Sequence, residues 1–139
     1  MSDIVVDASV ALAWAFADEA SEYAEEVLIA LNGRAILVPA LWAIEITNAL
    51  LVAQRRKRVA QPEVRRFVEL LRELTVVVDS QAVADTVSNI LPLGREYQLS
   101  AYDAAYLDVA MRHSIPLATL DGNLRKAGRK AGVEIFGKS

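Results

Sequence analysis

Short apolar runs alternate along this chain with longer stretches in which apolar residues recur every three or four positions. Asp3-Ile4-Val5-Val6 reads as a short buried strand, bounded by Asp7-Ala8-Ser9, where Asp7 or Ser9 is placed to cap a helix. Helices are predicted over residues 10–16 and 20–31, the second with an acidic outer face and a stop at Asn32-Gly33. Residues 35–38 form a second predicted strand. Pro39 is expected at the first position of a long helix reaching about residue 56, where the missing N–H costs nothing, and Pro62 opens another helix to about residue 74. A third strand is predicted over 75–78 and a helix from 80 to about 91, followed by a loop over 92–99 that pivots at Gly94. Ser100 caps a helix to about residue 113, with Asp103 at the capping-box position and in the favourable end of the macrodipole. A strand over 117–120, a basic helix over 123–131 and a final strand over 133–136 complete the pattern.

Alternating strands and helices predict an α/β fold, a three-layer α/β/α sandwich around a mostly parallel, doubly covered sheet of four to five strands. The near-continuous apolar strands agree. No repeat, low-complexity segment or composition shift appears, so a single domain over residues 1–139 is expected, burying roughly 70% of its unfolded surface. Open sheets of this kind place ligand sites beyond the carboxyl ends of the strands, at a switch in strand order. Asp7 and Asp121 each follow an apolar run and are expected to arrive there, while Glu45 and Asp103 must reach the same place from helices.

These four carboxylates carry the chemistry. Burying one unpaired carboxylate costs several kcal/mol, so four at the mouth of one sheet call for a shared cation. Hard oxygen ligands favour Mg²⁺ or Mn²⁺. Three of the acids have ordinary explanations: Asp7 and Asp121 as helix caps, Asp103 as the acidic member of a capping box. Glu45 is harder to dismiss. It interrupts Leu41-Trp42-Ala43-Ile44-Glu45-Ile46 and shares a helix stripe with Leu41, Asn48 and Val52, with no Lys or Arg within a turn. Asn48 is spaced to orient its carboxylate.

Composition narrows the alternatives. The chain has no cysteine, which excludes disulfides, thiolate zinc sites and a Cys nucleophile, and one histidine, His113, which excludes sites needing two. No GxSxG elbow is present. Formal net charge is −3, but that total counts the four site acids, and basic residues cluster in Arg55-Arg56-Lys57-Arg58 and in Arg125, Lys126, Arg129 and Lys130. Asp3 stands where a secretion signal needs positive charge. The most membrane-like stretch, residues 36–53, contains Pro39, Glu45, Thr47 and Asn48, and a central acid alone costs about 2.5–3.5 kcal/mol on insertion. No membrane association and a cytoplasmic location are expected.

The motifs, taken in order, resemble those of PIN domains, and specifically of the VapC-type toxins of bacterial and archaeal toxin–antitoxin pairs. The matching pieces are Ile4-Val5-Val6-Asp7-Ala8-Ser9-Val10, Glu45-Ile46-Thr47-Asn48-Ala49-Leu50, residues 99–107 around Tyr102-Asp103-Ala104, and Leu117-Ala118-Thr119-Leu120-Asp121. The resemblance implies a metal-dependent endoribonuclease that leaves 3′-hydroxyl and 5′-phosphate ends. Its catalytic, metal-holding cluster maps onto Asp7, Glu45, Asp103 and Asp121, with Ser9, Asn48 and Thr119 as supporting residues. Asp121 matches the least uniform acid of such domains. The resemblance also implies a small antitoxin partner that inserts a basic side chain into the acidic pocket, and a homodimer.

The residues suit that chemistry in their own right, since Mg²⁺ held by Asp7 and Asp103, with help from Glu45 and Asp121, activates water against an RNA phosphodiester without paired histidines. Arg125 and Lys126, one turn beyond Asp121, are candidates for RNA backbone contacts, against the plain alternative of a solvated helix face. Asp108 is about 140° round its helix from Asp103 and is set aside, as is His113. Tyr102 and Tyr106 are placed to stack bases, although core or dimer packing is the simpler reading, and Trp14 and Trp42 read as core or partner contacts.

Two other classes compete. A catalytically silent PIN-like module that binds RNA or protein gains nothing from collecting four acids. A phosphotransfer domain with an Asp nucleophile after a strand needs, in its dehalogenase-like form, a second Asp where Ser9 stands.

Overall fold

The computed structural model of the chain describes residues 3–137, so the ends of the expected 1–139 domain, residues 1–2 and 138–139, lie outside the described residues. The elements are β1 (Ile4–Val6), α1 (Ala8–Ala15), a single 3₁₀ turn (Ala17–Glu19), α2 (Glu22–Ala30), β2 (Ala35–Pro39), α3 (Leu41–Arg55) and α4 (Gln61–Glu73). They continue with β3 (Thr75–Asp79), α5 (Val83–Tyr97), α6 (Ala101–His113), β4 (Leu117–Ala118) and α7 (Gly122–Lys130). All four strands are parallel, in the order β3-β2-β1-β4, with Ile4 beside Ile36 and Val5 beside both Leu37 and Leu117. The architecture is the predicted α/β/α sandwich.

β1 lies inside the sheet, and Ile4, Val5 and Val6 have no exposed surface. Alternate residues of a strand point to opposite faces, so β1 is covered on both sides. Helix α6 packs on β1 and β2 and also meets α5 and α7, while α1 gathers α2, α3 and α4. The core runs through Val10, Val27, Ile36, Val38, Tyr106, Leu107, Leu117 and Leu124. The chain passes from β1 to β2 and β3 on one side, then returns to lay β4 on the other side of β1. That reversal makes the carboxyl ends of β1 and β4 the switch point.

The structure corrects several expectations. Pro39 ends β2 instead of opening α3, whose N-cap is Ala40. The predicted loop over 92–99 is largely helix: α5 runs through Pro92 to Tyr97. Pro92 is exposed, so the carbonyl it leaves unbonded is on the water side. Leu93, buried against the core, and Ile90 and Tyr97, packed on it, hold the helix together past the break. The pivot falls four residues later, at Gln98, in left-handed conformation (φ 55°). Gly94 matters there because a Cβ on it would sit 3.2 Å from the Leu99 carbonyl oxygen.

The last predicted strand is reduced to one parallel bridge, Ile135 to Leu117, held by Leu117 N–H to Glu134 O (2.9 Å) and Phe136 N–H to Leu117 O (2.9 Å). It lies so close to α7 that a Cβ on Gly128 would meet Ile135 Cδ1 at 3.0 Å. Finally, β3 is an edge strand and is not covered like the others: Val77 and Val78 are about half exposed.

Candidate metal centre

Asp7 follows β1 at the switch point. It is 4% exposed and serves as the N-cap of α1, accepting the Val10 N–H at 3.2 Å. Its Oδ1 also accepts the Ser9 hydroxyl (2.6 Å), and its Oδ2 accepts the Thr119 hydroxyl. The same hydroxyls accept in turn from the end of β4: Leu120 N–H donates to Ser9 Oγ (3.0 Å) and Asp121 N–H to Thr119 Oγ1 (3.0 Å). Two hydroxyls thus lock the carboxylate between the two strand ends. A carboxylate offers about four acceptor positions, so three are filled and the one remaining is on Oδ2.

Burial pushes the Asp7 carboxyl up to about 6, overcoming the hydrogen bonds from Ser9, Thr119 and Val10, and the charge of Asp103 adds to the rise. Asp103, half-buried in the first turn of α6, is also raised, first by burial and then by the charges of Asp121 and Glu45. Its backbone N–H is capped by the Ser100 hydroxyl (3.1 Å). Asp121 is the N-cap of α7: its Oδ1 accepts from Asn123 N–H (2.8 Å) and Leu124 N–H (3.3 Å). The capping explanations for Asp7 and Asp121 therefore hold, alongside the electrostatic contact of each with Asp103.

Glu45 is half-buried on α3, beside the buried stripe of Trp42, Ile46 and Ala53 rather than within it. Its Oε1 accepts a hydrogen bond from the Tyr106 hydroxyl. Asn48, the expected orienting residue, is exposed and its side chain makes no hydrogen bond among the described residues; the donor that meets Glu45 is Tyr106. Tyr106 is 2% exposed, and burial together with the Glu45 carboxylate holds its phenol far above the ordinary range. The sequence did carry a signal, since Tyr106 stands three residues after Asp103 and so on the same side of α6. Tyr102 is exposed.

Asp103 lies in the field of Asp121 and Glu45, and Asp7 in that of Asp103, but the four acids do not form a closed cage. Among the described residues, no group of three or more acidic or histidine side chains converges tightly enough to grip an ion. Three of them turn to a local donor instead: Asp7 to hydroxyls, Asp121 to its helix and Glu45 to a phenol.

No ion pair of the described residues reaches these acids. Arg58 pairs with Asp18 (3.1 Å) and Glu19 and lies over the Phe16 ring, and Arg112 pairs with Asp108 (3.0 Å) and Asp79. Arg125, one of the two expected RNA contacts, points inward. It donates to Thr119 O (2.7 Å) and stacks on Tyr23 at 4.7 Å, while Tyr23 donates to Phe136 O (2.8 Å). Lys126 is exposed and lines a groove with Asn123, Lys130 and the end of α5 at Tyr97 and Gln98. An all-oxygen donor set, raised carboxyls at Asp7 and Asp103 and no pairing cation among the described residues suit a hard divalent ion such as Mg²⁺ or Mn²⁺.

The remaining polar residues are structural. Asp108, 3% exposed, is held by Arg112 and by Gln81 (3.0 Å), which Asn89 supports in turn (2.7 Å). His113 meets Asp79 at 2.7 Å. Burial works to raise the Asp79 carboxyl, but Arg112 and His113 bring it below its usual value. Trp14 donates to Ala24 O (2.9 Å), and Trp42 is buried in the core.

Comparison with known proteins agrees with this fold. The sequence profile of the PIN domain family matches residues 4–130. A protein named Ribonuclease VapC3, from Pyrobaculum aerophilum, is 29% identical over 121 residues, covering 87% of this chain and 91% of that protein. The crystal structure of PAE2754 from Pyrobaculum aerophilum has a TM-score of 0.67 at 27% identity, covering 91% of this chain and 87% of its own. FitAcB from Neisseria gonorrhoeae has a TM-score of 0.64 over 96% of both chains at 18% identity, a likeness of fold alone.

Proposed function

The chain belongs to the PIN domain family, and from that membership we propose that it is a metal-dependent endoribonuclease, the toxin of a VapBC-type toxin–antitoxin pair. The observation that carries the reading is the carboxylate of Asp7, buried at the switch point, fixed by two hydroxyls, left with one free acceptor position on Oδ2 and within the field of the Asp103 charge. The name of the related Ribonuclease VapC3 supports the same activity.

In this reading Asp7 and Asp103 hold a Mg²⁺ or Mn²⁺ ion, with help from Glu45 and Asp121. The bound ion lowers the pKa of water and stabilises charge on phosphoryl oxygens. The protein does the rest. Ser9 and Thr119 fix Asp7 so that it does not swing with the incoming charge, and Asp121 ties the same pocket to the start of α7. Lys126, with Lys130 in the adjoining groove, holds the RNA backbone by phosphate contacts. Arg125 acts from behind, through Thr119 and Tyr23.

Exposed apolar side chains on α3 (Ile44, Leu51) and α5 (Val83, Val87, Leu91) offer surface for an antitoxin and for a second copy of the chain. Among the described residues no helix is long and apolar enough to cross a membrane, and a cytoplasmic site of action is part of the proposal.

The test is RNA cleavage by the purified protein. Activity should vanish in EDTA, return with Mg²⁺ or Mn²⁺, and be lost in Asp7→Asn and Asp103→Asn while circular dichroism stays unchanged. Cleavage that persists in EDTA, or full activity in both variants, overturns the proposal. RNA binding without any product favours the silent module.

A further inference from the structure

We propose that Tyr106 is a positioning residue of the acidic pocket, its phenol fixing the Glu45 carboxylate in the orientation that a divalent cation requires. The inference rests on the ribonuclease reading above and goes beyond it, because it assigns a role to a residue outside the acid cluster and its flanking hydroxyls.

Glu45 has three side-chain torsions and sits half-buried on α3, without a salt bridge. Its hydrogen bond within the described structure comes from Tyr106, 61 residues further along the chain. Tyr106 cannot swing away, because its ring is 2% exposed within the core. One hydroxyl on α6, the helix that also carries Asp103, therefore holds the carboxylate on α3. With Oε1 engaged, Oε2 has no hydrogen-bond or ion-pair partner among the described residues. Ligating carboxylates are commonly oriented by such an outer hydrogen bond, and loss of the partner weakens metal binding by about 10–100-fold.

The competing account is that Glu45 merely satisfies a buried hydroxyl, which would otherwise be unpaired. The two accounts differ in what removal of the hydroxyl does. Tyr106→Phe keeps the ring and its packing.

Mn²⁺ is titrated calorimetrically into EDTA-stripped wild type, Tyr106→Phe, Glu45→Gln and the double variant, with melting temperatures and RNA cleavage recorded alongside. Tyr106→Phe should bind Mn²⁺ about 10-fold more weakly and lose kcat more than KM, with affinity measured below its melting transition. In the Glu45→Gln background it should add nothing further. Mn²⁺ affinity of Tyr106→Phe within twofold of wild type overturns the inference, as does a full loss that persists in the Glu45→Gln background. If that happens while wild type binds Mn²⁺ and cleaves RNA, the ribonuclease reading stands and only the role of Tyr106 falls. A wild type that binds no Mn²⁺ and leaves RNA intact overturns both.

Discussion

The hydroxyl of Thr119 donates to Oδ2 of Asp7 while accepting the backbone N–H of Asp121. One side chain at the end of β4 thereby sets the position of the acid after β1 and of the turn that carries another. Thr119→Val keeps the volume and removes the donor. A hydrogen bond to an ionised group is worth about 1.5–3 kcal/mol, so cleavage should fall by at least about tenfold. The Asp7 carboxyl should also titrate higher than in wild type, which carbon-detected NMR of the aspartates reads directly. Unchanged cleavage and an unchanged Asp7 titration contradict the role given to Thr119.

The raised Asp7 carboxyl makes the metal-free fold sensitive to pH, with a definite sign. In the unfolded chain the group titrates near 3.8; in the fold it titrates at about 6. Below the lower value both states are protonated and the burial of Asp7 carries no penalty. As pH rises through the interval, the unfolded carboxylate ionises freely while the buried one resists, so stability falls by about 3 kcal/mol in total. Thermal melts in EDTA should therefore show wild type losing stability between pH 4 and 7, relative to Asp7→Asn. Asp7→Asn should melt several degrees higher at neutral pH. Parallel pH profiles for the two proteins contradict the account.

Much of this site is legible in the sequence, and for a physical reason. A strand buried on both faces must be apolar throughout, so an acid directly after it marks the carboxyl edge, as at Val6-Asp7 and, three residues past β4, at Asp121. Glu45 shows itself by interrupting a helix otherwise rich in apolar residues. What the sequence hides is whatever depends on partners distant in the chain. Tyr106 looks like a core aromatic until α3 is placed beside it. The basic side chain of Arg125 looks like a phosphate ligand until its inward turn onto Thr119 and Tyr23 is seen. Pro92 misleads in the opposite direction, because packing at Leu93 and Tyr97 outweighs a local cost of about 3 kcal/mol.

Arg125 and Lys126 are neighbours with separate jobs, and their alanine variants should separate. Lys126→Ala should weaken RNA binding and lower the slope of log affinity against log salt by about one, with the melting temperature unchanged. Arg125→Ala should lower the melting temperature and cleavage together, since it releases the Thr119 carbonyl and the Tyr23 ring. A salt slope altered by Arg125 but not by Lys126 reverses the assignment.

Arg112 answers two carboxylates, Asp108 and Asp79, at the far end of α6 from Asp103. Arg112→Met leaves the buried Asp108 without its cation and should cost about 3 kcal/mol in urea denaturation. Cleavage per folded molecule should not change. A loss of activity without a loss of stability ties this network to the site instead.

On the proposed reading Asp7, Glu45, Asp103 and Asp121 all face bound divalent metal. Fe²⁺ substituted for Mg²⁺, with ascorbate and peroxide, releases hydroxyl radicals that cut the polypeptide beside the ion. Mass spectrometry should find cuts clustered at these four separate stretches of chain, suppressed by excess Mg²⁺ and absent in Asp7→Asn. Cuts confined to one stretch, or spread elsewhere and indifferent to Mg²⁺, contradict a shared metal site.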